Sequence, residues 1–94
     1  MQVIPENTNP KWEYYQEADF WELEANQFRL LVECSHKSGQ WAAWVNLGYD
    51  SDPNSSVRYK NNIPTEAEAK AAAIEMAKDF AVSMLGILTN VEVT

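Results

Sequence analysis

The stretch from Ile63 to Gly86 constrains this chain more than any other, because it carries the signals for both ends of a helix and one apolar stripe between them. Thr65 is placed to cap the first free amides, and Glu68, three residues on, is placed to reach back to the Thr65 amide as in a capping box. Pro64 bars an earlier start, and Gly86 offers the left-handed residue that often closes a helix. The spacing therefore predicts a helix from about Thr65 to about Leu85, about six turns long. Ala69, Ala73, Met76, Phe80 and Met84 recur at helical spacing and form a stripe that must be buried on a partner surface.

Ahead of that helix the period changes. Trp21, Leu23 and Ala25 alternate with Glu22 and Glu24, which predicts a strand from Phe20. Asn26-Gln27 reads as a tight turn, and Phe28 to Ser35 as a second strand with Phe28, Leu30, Val32 and Cys34 on one face. After a turn at 36–39, a third strand runs from Gln40 to about Tyr49, with Trp41, Ala43, Val45, Leu47 and Tyr49 facing the helix. Residues 50–56 are rich in turn formers, residues 57–60 fit a short edge strand, and residues 86–94 form a weakly alternating tail. Residues 1–19 read as a lead-in, within which 10–18 suits either a short amphipathic helix burying Trp12 and Tyr15 or an extended arm. The expected fold is one α+β domain over 1–94: an antiparallel meander of three or four strands with one long C-terminal helix packed on one face. Trp44, Leu31 and Trp21 would then lie on an open face unless the N-terminal segment covers them.

Charge narrows the function. Fourteen acidic residues against seven basic ones give a net charge of −7. A field of that sign repels nucleic acid and attracts a basic protein surface, and it also keeps an aromatic-rich chain in solution. One cysteine excludes an internal disulfide. With no signal-like leader and no apolar run near twenty residues, the expectation is a cytoplasmic protein without a membrane segment.

Catalytic and metal chemistry find little support. Cys34 and His36 share a strand face, but nothing in the sequence supplies an orienting third group. Asp50-Ser51-Asp52-Pro53-Asn54 opens like a calcium loop, then has Ser55 where such a loop needs Gly and Asn61 where it needs Glu. The glycines are isolated, so no phosphate loop is present. The expectation is a protein that is not an enzyme and needs no cofactor.

Three resemblances bear on function. Ala69-Lys70-Ala71-Ala72-Ala73 is similar to the helix start of double-stranded-RNA-binding domains, although Glu66 and Glu68 stand where those domains place lysines. Thr65-Glu66-Ala67-Glu68-Ala69 is similar to the helix opening of HicB-like antitoxins. Over the widest span, Gly39-Gln40-Trp41 through Trp44-Val45, then Thr65 to Ala69, resembles small acidic phage-encoded accessory proteins, among them anti-CRISPR inhibitors. That last resemblance implies a non-catalytic module that offers acids to the basic, nucleic-acid-binding surface of a partner. The residues expected to do so are Glu22, Glu24, Asp50, Asp52, Glu66 and Glu68, with Trp44 or Trp12 as an aromatic anchor. The other two imply an antitoxin-like or nucleic-acid-binding module acting as a homodimer through its open sheet face.

Overall fold

A computed structural model describes residues 10–91. Five strands, β1 (Trp12–Tyr15), β2 (Phe20–Ala25), β3 (Phe28–Cys34), β4 (Trp41–Leu47) and β5 (Arg58–Ile63), precede one helix, α1 (Glu66–Thr89). The strands lie in chain order and every neighbouring pair is antiparallel. The fold is thus the expected α+β meander with a long C-terminal helix, but with five strands.

The additional strand is β1. A helix over 10–18 would have joined Trp12 to Tyr15, whereas the period-two reading joins Trp12 to Tyr14, and the structure takes the second. Trp12 pairs with Leu23 and Tyr14 with Trp21, so both face α1, while Tyr15 pairs with Phe20 on the opposite side. Ring contacts at 5.1 Å, Tyr14 on Trp21 and Tyr15 on Phe20, hold the strand from both faces. Cross-strand aromatic pairs of this kind outweigh the weak helical signal of so short a segment.

β5 is longer than expected, and it owes its place in the core to one irregularity. Between Trp41↔Ile63 and Ala43↔Lys60 the register shifts, with three steps on β5 against two on β4. Asn62 absorbs the extra residue in a left-handed conformation (φ 58) that asparagine tolerates better than most side chains. The bulge swaps the faces of the strand, so Ile63 points under α1 and is buried.

α1 begins where expected. Thr65 caps it, with the Glu68 amide donating to Thr65 Oγ1 at 3.2 Å. The Glu68 carboxylate accepts from the Thr65 hydroxyl at 3.2 Å instead of reaching the Thr65 amide. Ala69 and Ala73 are fully buried against a sheet surface made of Leu30, Val32, Ala43, Val45 and Ile63. Larger groups close the rim. Lys70 Nζ lies 3.7 Å from the Trp21 ring centroid, and Phe80 meets the Phe28 ring edge-on at 6.1 Å. Arg58 reaches from β5 to Asp79 at 3.0 Å and covers the Phe80 ring at 5.2 Å, tying the sheet to the second half of the helix.

The end of the helix differs from the sequence reading in two ways. Gly86 does not terminate it; the helix passes through to Thr89, with Asn90 as C-cap. A glycine permits the left-handed turn without requiring it, and no proline follows to force a stop. The expected stripe is also only partly core, for Met84 is exposed. Of the tail, residues 86–89 are helical and residues 92–94 lie outside the described residues, as do 1–9 of the lead-in.

The contact at Ala73 leaves no room for a larger side chain. Ala73→Leu is expected to destabilise by about 1–3 kcal/mol in urea denaturation. Ala71→Leu, on the exposed side of the same turn, should stay within about 0.5 kcal/mol. Equal costs at the two positions would mean that the helix does not approach the sheet at Ala73.

Candidate protein-interaction surfaces

The β4–β5 loop folds onto the face of the sheet away from α1, and among the described N-terminal residues Tyr15 and Ala18 border the same face. Asn46 is fully buried there, and its side-chain amide donates to the carbonyls of Asp50 at 2.7 Å and Asp52 at 3.0 Å. Trp44 donates its indole N–H to the Ser51 carbonyl at 3.2 Å. Two buried donors on β4 therefore satisfy three loop carbonyls, which folds residues 50–52 down onto the sheet. Trp44 is left only 5% exposed and stacks on Tyr59 at 6.2 Å. The residue expected to anchor a partner is thus spent inside the protein, because a strand long enough to pair on both edges places it in mid-sheet. Trp12, the other expected anchor, lies on the α1 side, with Lys70 Nζ 5.6 Å from its ring centroid.

The six expected acids do not form one surface. Glu22 is buried and held by Arg29 at 2.6 Å, so it is not presented to a partner. Glu24 lies exposed beside the same guanidinium at 3.9 Å. Asp50 and Asp52 sit on the loop, where their carboxylates accept loop amides: Asp52 N–H to Asp50 and Asn54 N–H to Asp52, both at 2.9 Å. The amide of Asp52, then the Ser55 side chain and the Ser51 amide, hold the Asp50 carboxyl below its usual pKa. Glu66 pairs with Lys70 at 3.1 Å, and Glu68 serves the cap. Glu24, Asp50 and Asp52 lie at the end of the sheet that holds the β2–β3 turn. Glu66 and Glu68 lie at the other end, beside the start of β4.

The fold brings together two surfaces that the sequence reading did not assemble. One is a shallow groove of about 230 Å³ on the open face, with Leu31 and Trp44 in its floor and Phe20, Pro53, Tyr59 and Glu33 around it. Tyr59 was legible in principle, since a period-two strand through β5 places it beside Trp44. The other is the free end of α1. Twenty-four helical residues span about 36 Å and a seven-residue strand about 23 Å, so roughly 13 Å of a helix that starts at the sheet's end must project beyond it. Beyond Phe80, Val82, Met84, Leu85, Ile87, Leu88 and Val91 are 39–69% exposed. Nothing in the sequence disclosed this, because the stripe continues without interruption past the point where the sheet stops.

Other reactive groups are committed elsewhere. His36 Nε2 lies 2.6 Å from Asp19, whose second carboxylate oxygen accepts the Tyr14 hydroxyl, while Cys34 Sγ lies nearest the Ser35 carbonyl at 3.8 Å. The Tyr14 hydrogen bond, then His36, holds Asp19 below the usual carboxylate range, and the same bond raises Tyr14. Among the described residues, no group of three or more His, Cys, Asp or Glu side chains is placed to hold a metal ion. No helix among them is long and apolar enough to cross a membrane.

No family model matches this chain, and neither a curated protein nor a solved structure is similar to it.

Two measurements check these contacts. Arg29→Met leaves Glu22 charged and unpaired in a buried position and should cost about 3–5 kcal/mol in chemical denaturation; Arg29→Met with Glu22→Leu should recover most of that. Asp19 has a folded pKa below its unfolded value, so its contribution to stability is present above about pH 4 and fades as the pH falls through the folded value. Tyr14→Phe should therefore move the Asp19 carboxyl titration upward by NMR and flatten the acid limb of the stability profile. An unmoved titration would show that the phenol does not hold that carboxylate.

Proposed function

We propose that this chain is a non-catalytic protein-binding module whose contact surface is the projecting end of α1. The observation that carries the reading is the exposure of six large apolar side chains over residues 81–91, the last turns of α1 with the two residues that follow, a segment that contains no charged residue. Isolated exposed apolar residues are ordinary, but a contiguous apolar segment of this kind marks an interaction surface.

Contact and field are separate in this reading. The net charge of −7 steers encounter with a basic protein, and the end of the sheet holding Glu24, Asp50 and Asp52 is the face that such a partner meets. Occupation of a basic surface that otherwise holds nucleic acid is the form of inhibition this charge favours. Glu66 and Glu68, at the far end and engaged with Lys70 and Thr65, take no part in it.

Leu85→Glu with Leu88→Glu tests the contact. Both side chains are exposed beyond the sheet, so the melting transition should correspond to a change within about 0.5 kcal/mol. A partner captured by the immobilised wild-type chain should be lost with the double variant. Equal capture by the two proteins would defeat the reading.

A further inference from the structure

We infer that the occupant of the projecting helix end is a second copy of this chain, the two α1 ends pairing antiparallel about a two-fold axis. The inference rests on the reading of residues 81–91 as a contact surface and names what that surface meets.

The stripe comes first. Ala69, Ala73, Met76 and Phe80 face the sheet, and Met84 and Ile87 continue on the same side of the helix at steps of four and three. Leu85, Leu88 and Val82 widen the stripe until only Ser83, Gly86, Thr89 and Asn90 interrupt the apolar surface. A helix apolar nearly all round is normally a buried one. Whatever covers it stands in for the missing sheet and must itself be apolar.

Charge then selects the partner. Two copies at −7 repel one another, and close approach requires a surface on which like charges do not meet. Residues 81–91 carry no Asp, Glu, Lys, Arg or His, so like charges do not meet within the contact itself, while Glu24, Asp50 and Asp52 at the adjoining end of the sheet repel a second copy around it. The last turn of α1 also has no basic residue, so its own side chains place no cation at the negative end of the helix dipole. Full antiparallel overlap of 81–91 sets Val91 of one copy beside Ala81 of the other.

Area is sufficient. Leu47, 44% exposed, lies on the α1 side of the sheet opposite Phe28, so the apolar surface runs from the projecting helix onto the sheet's end. Seven such side chains per copy amount to several hundred Å², approaching the roughly 800 Å² per partner of a standard interface. A two-fold arrangement uses the same patch on both copies and closes on itself.

Sedimentation velocity of the full chain at micromolar concentration, at low and high salt, decides the matter. The wild-type chain should sediment as a dimer that tightens as salt rises, because salt screens the repulsion between two acidic copies while leaving an uncharged contact intact. Ile87→Glu with Leu88→Glu should be monomeric at both salts, with unchanged far-ultraviolet circular dichroism over the sheet signal and a melting transition that, unlike that of the wild-type chain, does not depend on protein concentration. Hydrogen exchange gives an independent reading: amides from Met84 to Val91 should gain protection with concentration in the wild-type chain and not in the variant. A wild-type monomer, or a double variant that remains dimeric, would overturn the inference. A wild-type monomer that nonetheless captures another protein, lost in Leu85→Glu/Leu88→Glu, would overturn the second copy and spare the binding reading; a dimer whose protein capture ignores the helix end would do the reverse.

Discussion

The close seating of α1 on the sheet at Ala69 and Ala73 is the contact on which the remaining structure depends. Both alanines are fully buried against Val32, Ala43 and Val45, which are themselves inaccessible. Small residues at the contact bring the helix axis near the sheet, and the larger groups are displaced to the rim, where Trp12, Trp21, Trp41 and Phe28 pack partly buried around it and Phe80 meets Phe28. Lys70 and Arg58 then lie over ring faces, burying their stems while their charges reach Glu66 and Asp79. The bulge at Asn62 serves the same contact, since it alone turns Ile63 inward beneath the first turns of the helix.

One helix covers one face, and the opposite face is closed by different means. Asn46 and Trp44 draw the β4–β5 loop onto the sheet with three hydrogen bonds, and Glu22 with Arg29 fills the neighbouring position as a buried ion pair. This face is therefore specified by directional polar contacts, where the α1 face is specified by apolar fit. Such contacts cost desolvation but permit few alternatives, which suits a loop that must return to one place. What remains open between loop, β5 and the β1–β2 turn is a shallow groove and not a bare sheet.

The projecting end of α1 follows from a mismatch of lengths. A sheet of six- and seven-residue strands cannot support a 24-residue helix along its whole course, and Arg58 marks where support ends. Beyond it the helix keeps its apolar stripe without a surface to bury it. The free energy of apolar burial is then available to another molecule, and the lack of charge on residues 81–91 in so acidic a chain separates this contact from any that the acids make.

Much of this was legible in the residues themselves. Period-two runs fixed β2, β3 and β4 to within a residue or two, and Pro64-Thr65 fixed the start of α1, because side-chain alternation and amide capping act over a few neighbouring residues. Which face of β4 met the helix followed from alternation as far as Leu47, but Tyr49, expected on that face, lies beyond the strand and is exposed with Arg29 over its ring, and Trp21, expected on the open face, turns under α1 against Lys70. What the sequence could not disclose depends on distances between elements. Whether Trp12 to Tyr15 paired as a strand was decided by Trp21 and Phe20 across the gap; whether Gly86 ended the helix was left free by a residue that permits either course. The acids of 22–24, 50–52 and 66–68 read as one set along the chain, yet the antiparallel register sends them to opposite ends or into internal pairs. The end of the sheet, which turns the same apolar stripe from core into surface after Phe80, is a property of packed lengths. Local chemistry determined the elements; only their assembly decided which side chains were left facing outward.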